Sequence, residues 1–414
     1  MREGLSVAEA QQLILEATAP LGCETVGFPE AQGRILAEPV VASRTLPPED
    51  NSAMDGYAVR AADVAGAPVH LPVVFAVAAG GHAPRALEGG EAARILTGAP
   101  LPQGADAVVR QEDTERRGDR VRIDVAVPAG EHVRLAGEDV RLGETILEGG
   151  ARLGPAHLGI LASLGRTLVS VHQRPQVALL SGGDELVEPD GDVAGGRIVS
   201  SNSYTLAAQC RELGAEPHYL GIARDDPADI ERRLRAGLGS DALVTSAGVS
   251  VGDRDHVRPV LEKLGCRLLF WGVRMKPGYP FVFGCFEGGR GPLVFGLPGN
   301  PVSAMVTFEQ LVRPALLRMA GHEALFRPRI TATVGETLTK KAGRLHFVRV
   351  LLDREGHRMV ARTTGNQSSG VLRSMIEAQG LLIFPAEATR IAEGETAQVQ
   401  VLDPNVLAAN GPGF

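Results

Sequence analysis

A chain of 414 residues exceeds what one hydrophobic core supports, so about two to four domains are expected. Its 44% hydrophobic and 22% charged residues exclude a disordered chain, and 51 glycines with 27 prolines point to many turns and short strands. A formal net charge of -7 argues against a nucleic-acid binder, and no stretch approaches the ~20 apolar residues of a membrane span, so a cytoplasmic protein is expected. Cys23, Cys210, Cys266 and Cys285 form no C-x-x-C pair, which suggests small core residues, not a zinc site or a disulfide framework.

The first element is a helix from Ser6 to about Thr18, capped by Ser6 with Glu9 as its capping-box partner; Val7, Ala10, Leu13, Ile14 and Ala17 share one face. From residue 46 to about 140 short alternating runs separated by Gly and Pro predict a small all-β domain. Residues 1–43 and 140–173 flank it and are expected to pack together as a discontinuous element. Between 176 and 320 the texture alternates. Strand-like runs at 177–180, 217–222, 242–245, 268–273 and 293–295 are separated by helix-like stretches at 202–213, 227–238 and 255–264, which predicts a mostly parallel α/β sheet. Beyond 327 short strands return at 330–334, 347–352, 380–384 and 397–401, as in a small barrel or sandwich.

The polar residues of the α/β segment fall at strand ends. Ser181-Gly-Gly-Asp-Glu185, Thr245-Ser-Ala-Gly248, Lys276-Pro-Gly-Tyr279 and the run GLPGNPVSA at 296–304 each follow a strand, and open α/β sheets bind ligands outside the carboxyl ends of their strands. In GLPGNPVSA, Pro298-Gly299 makes a turn, Asn300 is a preferred N-cap and Pro301 suits the first helical position. The N–H groups of Val302 and Ser303 then lack intrahelical partners and, with the Ser303 hydroxyl, offer an oxyanion site. Asp184, Glu185, Asp225 and Asp255 beside Lys276 and Arg274 suggest Mg²⁺ held by carboxylates and substrate oxygens. The alternative is that Asp225 or Asp226 caps the helix at Pro227 and that Asp255 caps the next one. Asp55-Gly56 and Gly137-Glu-Asp139 read, by composition, as turns.

Taken in order, NSAMDGYAVR (51–60), TGAPLPQGADAVVRQE (97–112), GED (137–139), GDEL (183–186), GVSVGDRD (248–255), KPG (276–278), GLPGNPVSA, FVR (347–349) and GNQSS (365–369) resemble the MoeA family, which includes the gephyrin E-domain. The resemblance covers almost the whole chain. It implies a multidomain α/β plus β architecture: an elongated discontinuous domain (1–43 and 140–173), a small β domain (44–139), a mostly parallel, MogA-like α/β molybdopterin-binding domain (174–326) and a C-terminal β-barrel (327–414). The implied activity is molybdopterin molybdenumtransferase, inserting molybdate into adenylylated molybdopterin with Mg²⁺ and releasing AMP. The resemblance further implies a homodimer whose cleft combines the α/β domain of one subunit with the β domain of the other. A molybdopterin adenylyltransferase and cofactor-accepting molybdoenzymes are the expected partners.

Residue by residue, Asp55, Asp139, Glu185, Asp225 and Asp255 match acidic cleft positions, with Glu185, Asp225 and Asp255 the expected metal ligands. Thr97, Ser246, Gly248, Lys276, Pro280, Asn300, Ser303, Arg349 and Ser369 match substrate or oxyanion positions. The chain also departs from the family pattern. Tyr279 replaces the second lysine of KPGK, Gly272 replaces a basic residue after Trp271, Gly182 replaces a threonine, Ala247 interrupts SGGVS, Ser200 replaces the aspartate of DSN, and Gln379 replaces an asparagine. The first two remove positive charge from the expected anion site, for which Arg274 is the candidate replacement. A pterin nucleotidyltransferase or hydrolase, and a non-enzymatic molybdopterin carrier, are the competing readings of the same residues.

Overall fold

The computed structural model describes residues 1–246, 256–289 and 291–408. It divides into two compact units, Met1–Glu24 with Gly33–Ala37 and Ser170–Phe414, and Thr25–Gln32 with Glu38–Val169.

In the first unit, strands β1 (Arg2–Leu5), β2 (Gln176–Gly182), β3 (Glu216–Ala223), β4 (Ala242–Ser246), β5 (Cys266–Val273), β6 (Val282–Phe286) and β7 (Leu293–Leu297) form one sheet in the order β1-β5-β6-β7-β4-β2-β3. Only β6 runs against its neighbours, so the sheet is mostly parallel, as the sequence predicts. Its central strands are apolar runs because helices cover both faces. On one face lie α1 (Val7–Glu16) and α2 (Ser201–Glu212), with a long helix that starts as α5 (Pro301–Thr307), passes through a π-helical turn (Phe308–Val312) and ends as α6 (Arg313–Met319). On the other lie α3 (Pro227–Gly237) and α4 (Val257–Lys263). Ser6 and Glu9 form the expected capping box of α1. The helix begins where predicted, and the four residues before its cap form β1, which pairs in parallel with β5.

This unit also carries a closed five-stranded barrel. β8 (Arg329–Val334), β9 (Leu345–Glu355), β10 (Arg358–Thr363), β11 (Gly380–Phe384) and β12 (Thr396–Val401) pair in the circular order β9-β10-β8-β12-β11 around a core that includes Val350, Leu382 and Val399. Met275–Lys276 joins its edge, with Lys276 opposite His346. Glu309 in the π turn is buried and binds Arg327, which enters β8, at 2.7 Å.

The second unit carries a six-stranded sheet in the order Ala107–Arg110, Gly56–Val59, Ala92–Ile95, Val69–Val77, Arg120–Ile123, Thr114–Arg117. Alternate residues of its strands fill two cores, Tyr57 and Val59 in one and Ala58 in the other, the period-2 pattern of a sheet buried on both faces.

Candidate functional site

A cleft of about 660 Å³ opens at the carboxyl ends of β2, β4 and β7 in the first unit. Its floor is neutral and hydroxyl-rich. Ser181 is the penultimate residue of β2, Ser246 ends β4, Ser200 is the N-cap of α2 and Ser203 lies in its first turn. All four are buried, with Ser181 Oγ 2.7 Å from Ser203 Oγ, 3.1 Å from Ser246 Oγ and 3.1 Å from Ser200 Oγ. Beside them Asn202 donates from Nδ2 to the Gly299 carbonyl at 2.8 Å, while its Oδ1 and the Oγ1 of Thr245 are buried without a hydrogen-bond partner. A buried acceptor without a donor costs desolvation energy of about 1–3 kcal/mol, which a ligand N–H or O–H would relieve. Of this floor Ser246 was an expected substrate residue and Ser181 belonged to a strand-end cluster, whereas Ser203 was signalled only by the Ser-Ser-Asn run before it.

The wall of the cleft is the junction 296–304. Asn300 has the extended N-cap backbone, φ -65° and ψ 130°, but its side chain does not cap the helix. Instead Nδ2 donates to Ser369 Oγ at 3.0 Å. The expectation of two free N–H groups requires correction, because Val302 donates to the Ser369 carbonyl at 3.1 Å. Ser303, buried and lining the cleft, keeps its N–H without an acceptor among the described residues. One N–H and one hydroxyl, at the positive end of the helix, thus face the cleft.

On the acidic side, Glu185 lines the cleft and its carboxylate folds back over Gly183, where a Cβ would lie 2.6 Å from Oε2. Asp225 is exposed at the end of β3, and its N–H donates to Asp184 Oδ1 at 3.2 Å. The helix cap next to it is Asp226, which accepts from the Asp229 N–H at 2.9 Å, so capping does not engage the Asp225 carboxylate. Residue 256 is the N-cap of α4. Asp255 and Gly248 lie outside the described residues, among which no three His, Cys, Asp or Glu side chains come together as a metal-binding group. Of the two expected metal ligands that are described, Glu185 lines the cleft and Asp225 does not.

A second cavity of about 630 Å³ is basic. Lys276, Lys340, Lys341, Arg344, His346 and Arg349 line it, and no carboxylate does. Arg349 is 1% exposed; its Nε donates to Ser374 Oγ at 3.1 Å and one terminal nitrogen donates to the carbonyls of Ser368 at 3.2 Å and Asn366 at 3.4 Å. These partners are neutral, and burial lowers its pKa from 12.5 to about 10. His346 is pushed down to about 4, first by burial and then by Lys276, Lys340 and Arg344. Two loops join the cavities: Lys276 lines one and Pro280 the other, as do Gln367 and Gly370. Arg274, expected to replace the missing lysine charge, does not line this cavity; its N–H donates to Leu5 at the edge of β1. Arg344 lines it instead. Lys340, Lys341, Arg344 and His346 are not among the expected site residues, although three cations within five residues lie between two strands in the sequence.

In the second unit Asp55 and Thr97 come together. The Asp55 carboxylate accepts from the Thr97 N–H at 2.7 Å and from its hydroxyl at 2.8 Å, and these two bonds, the backbone one first, lower its pKa. Asp139 is exposed, in a loop anchored by Gly137 and Asp139 N–H bonds to Pro47 and Leu46.

Comparison with known proteins gives three matches along the chain. Residues 5–165 match the MoeA N-terminal region (domain I and II), residues 178–318 a probable molybdopterin binding domain, and residues 331–402 the MoeA C-terminal region (domain IV). A molybdopterin molybdenumtransferase of Nostoc sp. is 38% identical over 91% of this chain and 88% of its own length. Molybdopterin molybdenumtransferase 2 of Mycobacterium tuberculosis is 39% identical over 95% of this chain and 98% of its own. The crystal structure of a molybdopterin biosynthesis moeA protein from Pyrococcus horikoshii superposes with a TM-score of 0.82 at 31% identity, covering 96% of this chain and 100% of that one.

Proposed function

The chain belongs to the MoeA family, and from that premise we propose how its cleft and basic cavity carry out molybdenum transfer. It is a molybdopterin molybdenumtransferase of molybdenum cofactor biosynthesis: molybdate is inserted into adenylylated molybdopterin and AMP is released. The observation that carries the assignment of roles is Arg349, a buried cation whose hydrogen-bond partners are all neutral, in a cavity lined by cations and no carboxylate. Such a group calls for an oxyanion.

In this reading Arg349 and Lys276 hold the molybdate dianion with Ser369, and Pro280 shapes the passage between the two cavities. Ser303, through its N–H and hydroxyl, takes a phosphate oxygen of the nucleotide-bound pterin, with Asn300, Ser246 and Gly248 beside it. Glu185, Asp225 and Asp255 would hold Mg²⁺, which would supply neutralisation of charge on the departing phosphate. Asp55, fixed by Thr97, and Asp139 complete the acidic set from the other subunit of a homodimer. The protein works in the cytoplasm, receives its substrate from a molybdopterin adenylyltransferase and passes its product to molybdoenzymes.

The test is to incubate the purified protein with adenylylated molybdopterin, molybdate and Mg²⁺ and to measure AMP and active cofactor; absence of both at saturation refutes the reading. Dimer sharing has its own test. Asp55→Ala and Asp225→Ala subunits, each inactive alone, should recover part of the activity when mixed, and recovery of none would exclude a shared cleft.

A further inference from the structure

Two departures from the family pattern, Gly272 and Tyr279, are one arrangement in space. Gly272 has φ +75°, and a Cβ there would lie 3.3 Å from Cζ and the hydroxyl of Tyr279. A side chain at 272 would therefore be strained and would press on the tyrosine ring. Trp271 meets that ring edge-on at 5.6 Å, and the guanidinium carbon of Arg344 lies 4.6 Å above its centre. Arg344 forms no ion pair among the described residues. Its partner is the ring. Stacking spends the face of the guanidinium and leaves the in-plane N–H groups free, the geometry that suits an oxyanion.

We propose that Arg344, carried by the ring of Tyr279, is an oxyanion-holding residue of this enzyme that acts with Lys276 and Arg349 on the incoming tetrahedral dianion. The positive charge missing from position 279 is thereby supplied from the barrel at the start of β9. The inference rests on the function proposed above. The cavity supports it directly, since Lys276, Arg344 and Arg349 all line it.

The test uses the full-length protein in four forms: wild type, Arg344→Gln, Tyr279→Leu, and Tyr279→Lys combined with Arg344→Gln. Equilibrium dialysis gives molybdate binding, and AMP release gives the KM for molybdate and for adenylylated molybdopterin. The Arg344→Gln variant should raise the molybdate KM and dissociation constant about tenfold, the loss of one charge-assisted contact, and leave the KM for the pterin nucleotide unchanged. Tyr279→Leu should weaken molybdate in the same sense, and the lysine of the double variant should recover most of the loss. Three results would overturn the proposal: a wild-type molybdate KM in Arg344→Gln, an equal rise for both substrates, or a double variant no better than Arg344→Gln. A wild-type protein that binds molybdate but releases no AMP would refute the transferase reading alone, with dialysis still deciding the role of Arg344.

Discussion

Replacing Arg349 by Met should separate stability from function. The side chain is 1% exposed and its three hydrogen bonds go to neutral oxygens, so the cation is held against its desolvation cost. Burial lowers its pKa from 12.5 to about 10; at about 1.36 kcal/mol per pKa step this is about 3 kcal/mol against the charged form. A cation whose folded pKa is lowered weakens the fold throughout the range below about 10, and the penalty is relieved only as pH rises from there toward 12.5. At neutral pH it is fully present. Methionine fills similar space without charge, leaving the Ser368 and Asn366 carbonyls short of a donor at a cost of about 1–3 kcal/mol. The two terms nearly cancel, so Arg349→Met should unfold in urea within about 1 kcal/mol of wild type. Molybdate at about a hundred times its dissociation constant should stabilise the wild type by about 2.7 kcal/mol and the variant not at all. The reasoning is refuted if the variant loses more than about 3 kcal/mol without anion, which would make Arg349 a structural strut, or if molybdate stabilises it as much as the wild type.

Gly278→Ala should cost about 2–5 kcal/mol in urea unfolding, because φ is +102° and the new Cβ would lie 2.3 Å from Thr307 Cγ2 on α5; a loss below about 1 kcal/mol would show that the loop has room to move. The His346 ring should titrate near pH 4 by NMR. Its folded value lies below the ordinary 6.5, so its contribution to stability is complete above pH 6.5 and falls as pH drops toward 4; molybdate, by offsetting Lys276 and Arg344, should raise the midpoint, and a midpoint at 6.5 without anion would contradict the basic cavity. Maleimide should label exposed Cys23 first and half-buried Cys285 next, whereas Cys210 and Cys266, whose thiols burial pushes up to about 12, should react only after denaturation. Mass spectrometry after brief labelling checks this, and a Cys210 as fast as Cys23 would refute the packing of α2.

The parallel strands were legible because helices bury both their faces, leaving uninterrupted apolar runs such as Val177 to Leu180. β1 was not, since Arg-Glu-Gly-Leu has neither alternation nor an apolar run and owes its extension to the edge of β5. β6 was missed because Val-Phe-Gly-Cys-Phe, short and interrupted by glycine, follows the Lys276–Pro280 loop without a turn signal of its own. In the site, the motif loops and the acidic residues were visible as strings. Hydrogen bonds across the fold were not: Val302 finds its acceptor 67 positions along the chain, in Ser369. Arg274 is two residues from Lys276, yet its backbone is bound to β1, whereas Arg344 reaches the site from the barrel.

The two kinds of charge in the site stay apart, and this is what makes the site usable. Elsewhere the chain pairs its charges freely, as in Arg85 with Glu91 or Arg235 with Glu231. Among the described residues Glu185 and Asp225 form no ion pair, and neither do Lys276, Arg344 and Arg349. Had Arg349 reached Glu185, each would have neutralised the other, and neither a cation nor an oxyanion would gain by binding. The neutral floor of serine hydroxyls sits in the cleft with Glu185, while the loops around 276–280 and 364–370 place Lys276 and Arg349 in the adjoining cavity. A substrate spanning both would meet the cations with an incoming oxyanion, while a phosphate beside Glu185 would need a cation between the two anions. The buried Oδ1 of Asn202, which lines the cleft, adds a demand for a donor on the same ligand, which a bare phosphate does not meet and a nitrogen-rich ring does.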